Sequence, residues 1–249
     1  MYLLYISLIL IIIYYLSKEK KTGKIITKKI GIRYILNDKD NYFKSFSVKD
    51  LQVRNVATTN EYKLIGIRSI VDGNTTHEKI INKVCKIVDH KLKCINEKWF
   101  DYAKCKRIPW KFCLFIGYDY EEGLPHTRQD IIFINEKDIK FDRKLINTII
   151  HERIHIYQKR YPSSLTIYLD EKNMSKYKVR KETDKIRANP DINEWIYKDV
   201  KGNKMKAVYK KNASRISDVT YYPYNTQYNE HPLEQMAIYA VKKIQECRN

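Results

Sequence analysis

Five consecutive residues, His151-Glu152-Arg153-Ile154-His155, carry the densest chemistry in the chain. Two histidines four positions apart lie on the same side of a helix, so both imidazoles can reach one metal ion. Glu152 is turned about a quarter of the way round, which brings its carboxylate beside a metal-bound water. The alternative is a pair of surface histidines on an amphipathic helix. Against it, two of only six histidines coincide with a helix whose opposite side is rich in isoleucine.

The elements that must position these groups are legible in part. Asp142 can cap the free amides of a helix, with Phe141 and Ile146 at the two positions of a hydrophobic staple. Ile146, Ile149, Ile150, Ile154 and Tyr157 recur at helical spacing and predict one buried face, and Pro162 ends the helix. Upstream, residues 80–88 predict a helix, and residues 113–116 and 130–134 predict short strands, with a turn over 135–138. Residues 161–228 are polar, Tyr-rich and weakly periodic, and no division into elements follows. Pro232 suits the first position of a last helix running towards Cys247.

The stretch Thr148-Ile149-Ile150-His151-Glu152-Arg153-Ile154-His155-Ile156-Tyr157 resembles the active-site helix of zincin metallopeptidases, with Thr three residues before the first His and apolar residues after the second. Arg153 departs from that pattern, which prefers an uncharged residue. Residues 129–135 stand where zincins have the edge strand that pairs with an extended substrate. The composition and the apolar N-terminus also resemble uncharacterised metallopeptidase-like proteins of large DNA viruses. The resemblance implies one Zn2+ and a third protein ligand, since a catalytic zinc keeps three ligands and one open position. The extension HExxHxxGxxH is absent: Gln158 replaces its Gly and Pro162 its third His. A carboxylate from a later helix, as in gluzincins, is then expected.

Asn229-Glu230-His231-Pro232-Leu233-Glu234 supplies the candidates, although it departs from the NExxSD pattern of some gluzincins. Glu234 shares a face with Ala237, Ile238 and Val241, and Ala237 would let the two helices approach closely. Glu230 is the competing ligand and His231 a weaker one. Glu234 could instead be an acidic residue favoured in a first helical turn by the helix dipole. The resemblance further implies Glu152 as general base and a donor to the oxyanion, for which His231 and Tyr228 are the nominees. His126 reads as a packing or solvent-facing residue, His77-Glu78 as a surface pair, and Trp99, Trp110 and Trp195 as core. Residues 187–191 read as an ordered turn, with a substrate-contacting loop as the alternative.

Composition bounds the remainder. The 249 residues, with 43% hydrophobic, three Trp and 21 Tyr, exclude a disordered chain, and the paucity of Gly and Pro excludes linker-dominated ones. Residues 2–16 are uninterrupted apolar and aromatic sequence, and Lys18, Lys20, Lys21 and Lys24 follow it. That order predicts a single N-terminal membrane anchor over 1–17 with the body on the cytosolic side. A basic tether over 18–29 and a folded domain over 30–249 are expected. Three Asn-X-Ser/Thr sequons would then go unused. Cys85, Cys94, Cys105, Cys113 and Cys247 contain no CxxC, and their odd number predicts free thiols. The formal charge of +19 comes from Lys spread along the chain, a solvated surface rather than a dedicated nucleic-acid site.

The expected fold is α+β and zincin-like: a small twisted sheet with the His helix in one lobe (30–160) and a helical second lobe (161–249). The expected function is a membrane-anchored zinc peptidase acting on a protein or peptide. A non-catalytic basic protein binding nucleic acid or an anionic membrane surface is the alternative.

Overall fold

The computed structural model describes residues 22–181 and 183–247; the expected anchor over 1–17 lies outside them. Among the described residues no helix is long and apolar enough to cross a membrane. Among the described residues the first element is strand β1 (Gly23–Ile25), inside the expected tether. The amides of Thr22 and Gly23 donate to Asn82 Oδ1 at 2.7 and 3.0 Å, and helix α1 (Lys28–Asn37) follows. Residues 23–29 therefore belong to the fold and not to a tether.

The fold is α+β. In the first sheet β1 pairs parallel with β3 (Trp110–Phe115), and β3 pairs parallel with β5 (Ile131–Asn135). Strand β4 (His126–Arg128) closes the far side, antiparallel to β5, and β2 (Ile70–Val71) pairs antiparallel with the end of β3. Alternation along β3 and β5 supplies two cores. Phe112, Leu114, Ile132 and Ile134 face helices α4 (Thr75–Lys91) and α6 (Arg143–Arg160). Cys113, Phe115, Ile131 and Phe133 face α1, α3 (Thr59–Ser69) and the aromatic residues Phe43 and Phe46. Residues 129–135 are thus not the edge: all of β5 is buried, as an unbroken apolar run covered on both faces requires. The edge on this side of the sheet is β4.

The second half is mixed, which corrects the expected helical lobe. After α7 (Ser163–Glu171), strands β6 (Ser175–Val179), β7 (Trp195–Lys198), β8 (Lys204–Tyr209) and β9 (Val219–Tyr222) form an antiparallel sheet in that order. It packs on the short helix α2 (Val48–Val53) through Ala207, Tyr209 and Ile216. Helix α8 (Pro232–Glu246) returns to the first lobe and buries Met236, Ala237, Ala240 and Ile244 in the same core as α6. Its end meets another correction: Cys94 and Cys247 are joined by a disulfide, while Cys85, Cys105 and Cys113 are free and buried. Trp99 and Trp110 are core as expected, but Trp195 is exposed beneath the Lys176 ammonium.

Candidate metal centre

Helix α6 starts where its capping residue dictates, with the Leu145 amide donating to Asp142 Oδ1 at 2.7 Å. The staple partner Phe141 stays exposed, with Lys83 Nζ 3.7 Å from its ring centroid. From Ile149 to Gln158 the helix is buried on nearly every side, so its polar residues are internal as well. Arg153 explains itself on the side away from the histidines. Its guanidinium donates to the carbonyls of Cys105 and Ile108 at 2.8 and 2.6 Å, and lies 3.9 Å from the Trp110 ring centroid. It closes the end of helix α5 (Tyr102–Arg107) and touches no proposed ligand.

On the opposite side His151 and His155 bring their Nε2 atoms to 3.0 Å from one another. Glu234, in the first turn of α8, completes the group: Oε2 lies 3.4 Å from His151 Nε2 and Oε1 lies 3.7 Å from His155 Nε2. Ligand atoms of these three residues fall within 4.8 Å of one another. Two imidazole nitrogens and one carboxylate, largely dry, are a donor set of zinc type. Burial favours a neutral His151, but the hydrogen bond and charge of Glu234 prevail and raise its pKa to about 9. Burial likewise opposes ionisation of Glu234, yet the two histidines hold its carboxyl well below the ordinary range. The Glu234 carboxylate thus favours positive charge at His151.

Neighbours fix His155 and Glu234. Gln158 Oε1 meets His155 Nδ1 at 2.9 Å, and Gln158 Nε2 donates to the Leu233 carbonyl at 3.0 Å, so one side chain orients the ring and ties α6 to α8. Asn189 Nδ2 donates to Glu234 Oε1 at 3.1 Å. Glu152 is buried, and its Oε2 has no hydrogen-bond partner. Burial, and next the charge of Asp191, push the Glu152 pKa well above the usual carboxylate range. These groups line a cleft of about 500 Å3, bounded by Thr148, Asp191 and Tyr221 on its polar side and Ile216, Ile238 and Val241 on its apolar side.

The other nominees lie elsewhere. Glu230 is buried against Arg187, whose NH2 and Nε donate to its carboxylate at 2.6 and 3.3 Å, so it is not in the ligand group. His231 caps α8: Nδ1 accepts from the Leu233 amide at 3.1 Å, and Nε2 lies 3.1 Å from Asn193 Oδ1. Both ring nitrogens are engaged, leaving none for an oxyanion. Tyr228 sits beside Tyr168, away from the cleft lining. His126, by contrast, is buried against Phe133 at the border of the cleft, its Nε2 without a hydrogen-bond partner, and His77 completes the capping box that Asn74 opens on α4.

Residues 187–191 are more than a turn. The Ala188 amide donates to Asp50 Oδ1 at 2.9 Å, Asn189 reaches Glu234, and Asp191 accepts from the Thr127 amide at 2.7 Å. The segment crosses the cleft from the third ligand to β4. Its place in the cleft lining agrees with the alternative reading of a loop at the site, rather than with a simple turn. Comparison with known families, curated proteins and solved structures finds no match to this chain.

Proposed function

We propose that the chain is a zinc-dependent peptidase of zincin type, held at a membrane by its N-terminal residues and hydrolysing a protein or peptide. The observation that carries the reading is the convergence of His151, His155 and Glu234 beside the unpartnered carboxylate oxygen of Glu152. His151, His155 and Glu234 would hold one Zn2+, which when bound lowers the pKa of a coordinated water and polarises a carbonyl. Glu152, buried beside the three ligand residues with one carboxylate oxygen unpartnered, would accept the proton of the attacking water and return it to the leaving amine. Gln158 and Asn189 keep the ligand atoms aimed. Of the polar cleft residues, Thr148, Ser217 and Tyr221 carry hydroxyls that could serve the developing oxyanion in place of His231 and Tyr228.

Metal content and peptide hydrolysis of the purified protein test this together. Wild type is expected to carry near-stoichiometric zinc, lost in His155→Ala and Glu234→Ala. Glu152→Gln is expected to keep the metal and lose about 10²–10⁴-fold in kcat. A folded wild type without affinity for zinc would sink the proposal.

A second reading has one observation behind it. On the outer face of the second sheet, Lys198 and Lys204 lie 4.7 and 4.6 Å from the Tyr177 ring centroid, and Lys206 lies 5.5 Å from that of Tyr222. Interleaved ammonium groups and rings suit stacked bases and phosphates. That reading requires single-strand affinity which falls steeply with salt and ignores Glu152→Gln.

A further inference from the structure

A sheet edge beside a cleft is a template for an extended peptide, because its outward amides and carbonyls can extend the ladder. Strand β4 is that edge. In its antiparallel pairing with β5, outward-facing residues alternate with ladder residues, and Thr127, opposite Ile132, faces outward. Its amide donates to Asp191 Oδ1 at 2.7 Å, and its carbonyl accepts from Lys159 Nζ at 2.8 Å. The Thr127 hydroxyl lies between the same two groups, 2.5 Å from each. Two residues back, Pro125 has no N–H to offer. Two residues on, the Gln129 amide donates to Asp40 Oδ2 at 3.3 Å. Every outward amide over 125–129 is absent or engaged.

The seal is built in. Lys159 Nζ also donates to the Pro190 carbonyl at 2.8 Å, fastening the crossing segment along the strand. At the root of that segment stand the buried Arg187–Glu230 pair and the Ala188–Asp50 hydrogen bond. Lifting it would take the Asp191 carboxylate away from Thr127 and Lys159, and would leave the Lys159 ammonium with Thr127 but without its counter-charge.

We infer that Asp191 and Lys159 are specificity-determining residues. By sealing the β4 edge they exclude substrates that dock as an added strand. The cleft then takes turns, bends and chain ends, recognised by side chains and by the reacting carbonyl. The inference rests on the peptidase reading.

The test uses full-length, zinc-loaded protein and fluorogenic peptides identical except for one N-methyl group, moved along the backbone two to four residues from the scissile bond. Wild-type kcat/KM is expected to change by less than about threefold at these positions, because no edge hydrogen bond is there to lose. Losses of about tenfold at alternate positions would reveal edge pairing and overturn the inference. Such alternate sensitivity is expected to emerge in Asp191→Ala.

An activity-free arm follows exchange of the Thr127 amide. Slow exchange is expected in wild type and acceleration in Asp191→Ala, whereas fast exchange in wild type overturns the seal. If Asp191→Ala does not fold, the two wild-type measurements decide. Absence of cleavage of any peptide fells the peptidase reading and the substrate class with it; slow Thr127 exchange then separates that failure from failure of the seal.

Discussion

A buried carboxylate oxygen without a hydrogen-bond partner is costly in a folded protein, and Glu152 carries one at the floor of the cleft. Ligand orientation is as demanding, and it falls to Gln158. Replacing Gln158 by Leu removes the acceptor at His155 Nδ1 and the tie to Leu233 together. A 10–100-fold weaker zinc affinity is expected, measured by competition with a chelator, with little change in secondary structure. The histidines and Glu152 were legible because three contacts of the site lie within one helical turn and a half. Glu234 was legible because proline marks a helix start two residues before it. Asn189 and Asp191 were not, since their partners stand 45 and 64 residues away and nothing local marks the pairing. His231 was misread because histidine is not among the usual capping residues.

Helix α6 must be fixed on its back as well as its front, and Arg153 does this with a buried guanidinium bonded to backbone carbonyls. Arg153→Met removes the guanidinium donor from the Ile108 carbonyl and leaves the Cys105 carbonyl with the Ile108 amide alone. It should destabilise the fold by about 3 kcal/mol or more in denaturant titration, while a folded fraction still binds zinc. Helix α2 has a comparable role for the segment that crosses the cleft. Asp50 accepts from the Ala188 amide, Tyr209 and Arg180, each at 2.9 Å. Burial opposes its ionisation, but Arg54 and Arg180 prevail and hold its carboxyl below the usual range. A depressed folded pKa stabilises above the unfolded value near 4 and loses that contribution as pH falls through the folded value. Acid unfolding below about pH 4 should therefore be shallower in Asp50→Asn, which should also be less stable at pH 7 by about 3–5 kcal/mol. Strands in this half escaped sequence reading for a physical reason. In β8, buried Met205, Ala207 and Tyr209 alternate with Lys204, Lys206 and Val208, and small inward residues blur the contrast; β6 is exposed throughout. For β5 the signal was present, as four successive apolar residues already argued for an interior strand.

At the scale of the molecule, α8 is clamped at both ends, by the His231 cap and Gln158 at one and by the Cys94–Cys247 disulfide at the other. Thiol titration of the denatured protein is expected to give three thiols before reduction and five after. Cys247→Ser should cost about 3–5 kcal/mol, given a sequence separation of 153 residues. A structural disulfide belongs in an oxidising compartment, against the cytosolic side expected from the N-terminal lysines, and the titration weighs one against the other. Distant cysteines with no spacing motif could not have announced this pair.

The early start of β1 has a consequence for distance. A leash over 17–29 would let the cleft range roughly 45 Å from a bilayer, but one over 17–22 allows about 20 Å at full extension. Were residues 2–16 held in a membrane, as proposed, the domain would be moored against the headgroups and would sweep only a thin shell. Its targets would then be membrane proteins cut close to the lipid surface, or soluble ones brought there.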